Sequence, residues 1–384
     1  MILQEAESNE LLDEVPATMQ AAVFTGPGEP LKITTLLTPE PAPDEVLVKV
    51  AACGLCHTDL HVLQGDVGFV SPAVLGHEIA GTIVAVGEHV PADLVVGARV
   101  VGAFVLPCGR CEACRRGRDD LCPSFFDNNR LRGVMHDGRT RLVTQSGDPV
   151  GMYSMGGHAE YAVVPASSVT PLAARLPLAE SAVLGCAAMT AYGAVRHGAD
   201  LRPGASVAVV ATGGVGVNVV QLAHAFGADP IIAVDVSAGA LDIALRHGAT
   251  RIVDASEHDP VERVRDLTDG RGVDVAFEVL GTPGTFQQAL EMLVDGGRLV
   301  AVGIAPGRTS ADVEITRMVR RSLQIVGSYG ARVRTDLPRV AAMAAAGKIS
   351  PHRMVTQSFG LDQVNEAFAA LANRRITGRA VVCP

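Results

Sequence analysis

Residues 206–212, SVAVVAT, form an unbroken apolar run. Such a run suits a strand buried on both faces, as in a parallel sheet. Directly after it comes GGVGVNVVQLAHAFGA, glycine-rich and then apolar at helical spacing. Residues 230–236, PIIAVDV, repeat the buried-strand pattern and close around an acid, Asp235. Apolar runs at 251–255, 273–281, 298–304 and 323–329 predict further strands. Segments 239–247, 259–268 and 283–294 predict helices between them. Six strands alternating with helices predict an α/β fold with a doubly wound parallel sheet. The chain before about residue 190 is patterned differently. Short β-rich stretches, EVLVKVAA at 45–52 and IAGTIVAVG at 79–87, are punctuated by glycine and proline. They predict a separate antiparallel β domain. The tail, 330–384, mixes a helix with a final strand, RAVVC, and no internal repeat is present.

Composition excludes several classes of function. The 384 residues suggest two to three domains. Hydrophobic residues make up 48%, enough for a sizeable core and too many for a disordered chain. A net charge of −9 gives no general pull toward phosphate backbones, so nucleic acid is not expected as a partner. No apolar run is long enough to span a membrane. The acidic start, MILQEAESNELLDEV, does not read as a secretory signal. A soluble cytoplasmic protein with reduced thiols is therefore expected. Aromatic residues are only 4% with no Trp, so a stacking platform is not expected.

Cysteine spacing carries more information. Four of the eight cysteines, Cys108, Cys111, Cys114 and Cys122, lie in CGRCEACRRGRDDLC. Two C-x-x-C steps let thiolates converge on one ion, and a fourth closes a tetrahedron, the arrangement of a structural zinc site. An iron–sulfur cluster and four free or disulfide-bonded cysteines are the alternatives, but ferredoxin spacing differs after the third cysteine. Arg110, Arg115, Arg116 and Arg118 would offset part of the thiolate charge. Cys56 heads CHTDLH, His77 and Glu78 follow in GHE, and Cys186 lies far downstream in LGCAAMTAYGA. Cys–His–Cys is one ligand set of a catalytic zinc with an open position. Spacing alone does not join Cys186 to that set. Cys53 and Cys383 read as small buried hydrophobes.

The strand–glycine turn–helix order at 206–226 is the context of a dinucleotide fingerprint. Here it runs A-T-G-G-V-G, with Ala211 in place of the first glycine. Alanine serves there if the backbone needs only negative φ. Gly213 permits approach of a pyrophosphate, and Gly216 permits helix–strand packing. Asp235 lies near the spacing expected for a carboxylate that accepts hydrogen bonds from the adenosine ribose.

Taken together, GLCHTDLH, GHEIAGTIVAVGEHV, the four-cysteine lobe, GCAAMTAYGA and the fingerprint occur in one order. The chain resembles the zinc-dependent medium-chain alcohol dehydrogenases from about residue 19 to 384. The resemblance implies a GroES-like β-rich catalytic domain at 19–187 and 328–384, interrupted by a Rossmann cofactor domain at 188–327. Residues 1–18 are left as an acidic extension. It implies two Zn2+ per chain: a catalytic ion on Cys56, His77 and Cys186, and a structural ion on Cys108, Cys111, Cys114 and Cys122. Glu78 matches an acid near the metal, Asp59 an outer carboxylate, and Thr58 and His61 a proton relay. His57 and Arg379 match cations that pair with the pyrophosphate of NAD. Thr190 and Val215 match residues packing the nicotinamide. Gly213, Gly214, Gly216, Asp235 and Gly303 complete the cofactor positions, and Val67, Phe104 and Ile304 match pocket positions.

The reaction so implied is hydride transfer between an alcohol and NAD, with zinc as Lewis acid. Thr58 would pass a proton through the cofactor ribose toward His61, since an imidazole side chain suits the exit of a relay. The long stretch from Cys122 to Tyr161 resembles the dimeric, animal-type and thiol-dependent formaldehyde dehydrogenase branches. CHTDLH looks closer to the tetrameric yeast type. A homodimer or homotetramer, and an alcohol, aldehyde or thiol adduct of formaldehyde, all remain open. A non-catalytic zinc and nucleotide-binding protein is the rival from another class, and an intact relay argues against it.

Overall fold

A computed structural model describes residues 14–305 and 307–384. The first thirteen residues of the expected acidic extension lie outside the described residues. Thr18, placed in that extension, already belongs to the strand Thr18–Phe24.

The parallel sheet contains six strands: β1 (Val207–Val210), β2 (Ile231–Asp235), β3 (Arg251–Asp254), β4 (Val273–Glu278), β5 (Leu293–Ala301) and β6 (Gln324–Gly327). Their spatial order is 3-2-1-4-5-6 and every pairing is parallel. This is the doubly wound dinucleotide-binding order, with its ligand crevice where the order reverses at β1. All four residues of β1 are buried, because helices cover both faces. The intervening helices begin where the sequence offers caps. Ser237, Asp259 and Thr282 each accept a backbone N–H from the first turn of the next helix. β5 starts earlier than the apolar run suggests, because VDGG extends it irregularly, with a register shift against β4.

The remaining strands form two further sheets, of five and seven strands. Glu45–Gly54 is central to the larger one and pairs antiparallel with Ile79–Val86 and Tyr161–Pro165. The final strand, Arg379–Cys383, also pairs antiparallel with it, through Val381 opposite Gly54. The tail thus returns to the β-rich part and carries Arg379 with it. One buried apolar cluster runs from Val48 through Ala188 and Val195 to Val209 and Ile231, so the parallel sheet and the β-rich part share packing. No helix among the described residues is long and apolar enough to cross a membrane.

Candidate active site

Cys56 caps the N-terminus of the helix His57–Gln64, just after the central strand ends. His77 and Glu78 precede the strand Ile79–Val86. Cys186 sits where a 3-10 turn passes into the helix Ala187–Gly193. These separate segments bring one ligand atom each from Cys56, His77, Glu78 and Cys186 within 4.8 Å of one another, all buried. Backbone space makes this possible. Gly76 has φ 99°, and a Cβ there would meet the His158 amide nitrogen at 2.6 Å. A Cβ on Gly54 would run into the Glu78 carboxylate.

Asp59, fully buried, accepts from the Gly76 amide at 3.2 Å and from His77 Nδ1 at 3.1 Å. With Nδ1 so engaged, Nε2 of His77 faces the cluster as an acceptor, and it has no hydrogen-bond partner. Oε2 of Glu78 is likewise buried and unpartnered. Orphaned buried acceptors beside two converging thiols are what a tetrahedral zinc site offers. Electrostatics agree. A hydrogen bond with Cys186 holds the Cys56 thiol well below its ordinary range, against burial. Cys186 is pushed up by that same shared proton and by burial. Burial lifts Glu78 to about 7, opposed by Arg379, whose guanidinium is ion-paired with it. Cys53 is buried and pushed up by desolvation, a neutral packing residue as expected.

The other expected residues divide. Thr58 Oγ1 lies 3.6 Å from Cys56 Sγ. His61 is on the same short helix, and its Nδ1 lies 3.0 Å from Asp66 Oδ2, an orienting acid the sequence reading missed. His57 is exposed, and Thr190 is half-buried one turn after Cys186. Phe104 edges onto His77 at 6.1 Å between ring centroids. Val67 packs on the apolar cluster containing Leu60 and Tyr153. Ile304 is 62% exposed on the loop after β5. Three further aromatic residues went unnoticed in the sequence. Tyr153 lies 5.8 Å from His77, Phe69 lies 4.9 Å from Tyr153, and Tyr329 lies 5.6 Å from Phe104. Scarce aromatic residues from distant segments gather here, which composition cannot reveal.

The glycine turn after β1 corrects one expectation. Ala211 has φ 71°, not a negative φ. It occupies the left-handed region that the missing glycine would take without strain, at a cost of about 1–2 kcal/mol. The next constraints hold. A Cβ on Gly216 would collide with the Ala211 carbonyl, whereas nothing lies within 4 Å of one on Gly213. Val215 is half-buried and caps the following helix. Gly214 lies against Arg379, whose Cδ would be 2.6 Å from an added Cβ. Arg379 Nε is buried without a partner, a donor free for an anion on the turn. Asp235 Oδ2 accepts from the Thr212 amide at 2.7 Å, and Oδ1 from the Ser237 amide at 3.0 Å. Ser237, not Asp235, caps the helix that follows. Gly303 leaves no room for a side chain, since a Cβ would strike the Leu280–Gly281 peptide.

In the lobe, ligand atoms of Cys108, Cys111, Cys114 and Cys122 also lie within 4.8 Å of one another. Amides of Cys108, Cys111 and Cys114 donate to neighbouring Sγ atoms at 3.4 Å. The nearby arginines are partly spent on local acids, Arg116 on Glu112 and Arg118 on Asp120. The cation that binds the lobe to the body is Arg334. It holds Asp119 at 2.7 Å and also donates to the Cys114 carbonyl.

Comparison with known proteins agrees with this architecture. Residues 42–174 match the alcohol dehydrogenase GroES-like domain, and residues 214–346 match the zinc-binding dehydrogenase family. The chain belongs to the zinc-dependent alcohol dehydrogenases of the medium-chain dehydrogenase/reductase superfamily, oxidoreductases with a zinc cofactor. It is 35% identical to an S-(hydroxymethyl)glutathione dehydrogenase of Escherichia coli, over 91% of this chain and 95% of that one. Among solved structures it resembles an alcohol dehydrogenase zinc-binding domain protein from Burkholderia ambifaria (TM-score 0.89, 33% identity, 95% of this chain and 98% of that one). It also resembles benzyl alcohol dehydrogenase from Acinetobacter calcoaceticus (TM-score 0.88, 29% identity, 95% and 99% covered).

Proposed function

We propose that the protein is an NAD-dependent alcohol dehydrogenase that interconverts a small-molecule alcohol and its aldehyde or ketone. The catalytic unit is 19–187 with 328–384, the cofactor unit is 188–327, and the working form is a homo-oligomer. One observation carries the reading: three buried ligands from distant segments converge, with His77 Nε2 turned to the cluster by Asp59. Cys56, His77 and Cys186 would hold the catalytic zinc, and the lobe cysteines the structural one. When bound, zinc supplies a Lewis acid for the substrate oxygen, and the nicotinamide supplies hydride chemistry.

The chain's own residues do the rest. Asp59 locks the His77 tautomer, and Glu78 holds Arg379 beside the glycine turn. Gly213, Gly214 and Gly216 leave backbone room for a pyrophosphate, with His57 and Arg379 as its cations. Val215 and Thr190 would pack the nicotinamide, and Gly303, where a side chain would strike the Leu280–Gly281 peptide, would be a further cofactor position. Thr58 accepts the alcohol proton and His61, held by Asp66, releases it to solvent. Phe104, Val67 and Ile304 bound the pocket.

Asp235 selects NAD. A 2′-phosphate would set about two negative charges against its carboxylate, and Val236, Ser237, Ala238, Gly239 and Ala240 supply no cation. NAD is expected to exceed NADP by at least about 10²-fold in kcat/KM. Asp235→Gly with Val236→Arg should narrow or invert that ratio. Reduced-nicotinamide absorbance across an alcohol panel tests the reading, and equal wild-type use of both cofactors would remove Asp235 from it.

A second reading follows from the named relative: oxidation of the adduct of formaldehyde with a low-molecular-weight thiol. Formaldehyde turnover that requires added thiol would favour it.

A further inference from the structure

Arg130 ends the π-helical turn Phe125–Arg130 that follows the last lobe cysteine. Single π turns recur at functional sites because they redirect a side chain. The guanidinium carbon stands 4.6 Å from the centroid of the Tyr153 ring, which in turn lies 5.8 Å from His77. Those two steps put the cation within about 10 Å of the ligand imidazole. Burial pushes the phenols of Tyr153 and Tyr329 up, and the charge of Arg130 opposes it on both. Tyr153 is 2% exposed, and its hydroxyl has no hydrogen-bond partner.

Two cations therefore flank the cluster, and they differ. Arg379 is matched by Glu78. Arg130 is half-buried, and among the described residues no carboxylate pairs with it. An arginine stacked by one face on an aromatic ring keeps its in-plane N–H donors for other partners. Here one of the donors is engaged by the Tyr329 hydroxyl, and the rest of the fork remains for a ligand. Such a fork fits a carboxylate through two parallel hydrogen bonds. An unmatched charge among aromatic rings is costly until a counter-charge arrives. The rings near it are flat and apolar: Phe69 on Tyr153, and Phe104 and Phe126 on Tyr329.

We propose that Arg130 is a specificity-determining residue that receives a substrate carboxylate, with the Tyr153 hydroxyl as a further donor. The preferred substrate is then an alcohol or aldehyde with a flat apolar body and a carboxylate at the end remote from the reacting carbon. This rests on the dehydrogenase reading above and narrows its substrate class.

The test compares 4-(hydroxymethyl)benzoate with benzyl alcohol, using the zinc-loaded enzyme and NAD. Wild type should favour the carboxylate in kcat/KM by about tenfold or more. Arg130→Gln should cut that preference by about 10- to 100-fold, mainly through KM. Arg130→Lys should retain part of it. A preference unchanged in Arg130→Gln, or equal losses on both alcohols, would overturn the proposal. Calorimetric binding of terephthalate separates this failure from that of the parent reading. Binding that needs Arg130, without oxidation of any alcohol, keeps the anion site and removes the dehydrogenase. Oxidation of alcohols, with terephthalate binding indifferent to Arg130, does the reverse. Thiol-adduct turnover that exceeds the aryl carboxylate would overturn the compact-substrate assignment.

Discussion

The protein holds two thiol-rich clusters of similar size and opposite construction. The lobe draws all four ligands from fifteen consecutive residues, and its backbone amides donate to the sulfurs. Two of its cysteines are only half-buried. The other cluster draws its members from three segments spread over more than a hundred residues, every one buried. It also contains an unpartnered imidazole nitrogen and a carboxylate already tied to an arginine. A local, sulfur-only cluster satisfies a metal completely and has no position left for a substrate. An assembled cluster with mixed ligands needs the whole fold to exist, and can leave a position open. On the proposed assignment, proximity in sequence goes with a stabilising role, and assembly from afar with chemistry.

The strongest way to break this comparison is to remove a ligand from each cluster. Cys56→Ser or His77→Ala should lower turnover by at least about 10³-fold while the melting temperature moves little. Metal analysis should then find one zinc per chain where wild type holds two. Cys111→Ser should behave oppositely, because a structural site's binding energy is folding energy. A loss of roughly 3 kcal/mol or more in thermal or denaturant unfolding is expected. A Cys111→Ser protein of full stability without activity would reverse the two assignments.

Acid should act on the assembled side through His158, beside Gly76. Burial pushes this imidazole down to about 4 from 6.5, and neither ring nitrogen has a partner. The unfolded chain takes up its proton near 6.5, whereas the folded protein does so only near 4. Stability is therefore complete above pH 6.5 and falls as pH drops toward 4, by up to about 3 kcal/mol. His158→Phe should flatten that limb in urea unfolding measured at successive pH values. An identical slope in the variant would exclude His158 as its source.

The smallest effect sharpens the contrast. Asp59→Asn removes the charge behind His77 and no ligand. Zinc affinity at the assembled site, and turnover, should fall about 10- to 100-fold, with the lobe zinc retained. Equal loss from both sites would show that the clusters are not independent.

Much of this was legible beforehand for a definite reason. Strands buried on both faces write themselves as apolar runs, so the six-stranded sheet followed from local pattern. The helix starts are set by caps at Ser237, Asp259 and Thr282, which the pattern reading did not use. Ala211 misled because a residue's φ is set by the turn it must close, not by its own preference. Arg334 was invisible as the lobe's anchor because it lies more than two hundred residues from Asp119. Tyr153, Tyr329 and Arg130 had no motif, only a place.

The sequence by itself determined the buried-strand and helical patterning, the lobe's ligand spacing and the glycine turn, because each depends on residues within one or two turns of chain. Tertiary structure alone decided that Cys186 meets Cys56 and His77, that Arg379 spends its charge on Glu78, and that Arg130 meets no carboxylate among the described residues. Those outcomes depend on which segments the β sheets and the returning tail bring together. Contact across such distances is bought with buried apolar area rather than with any local signal.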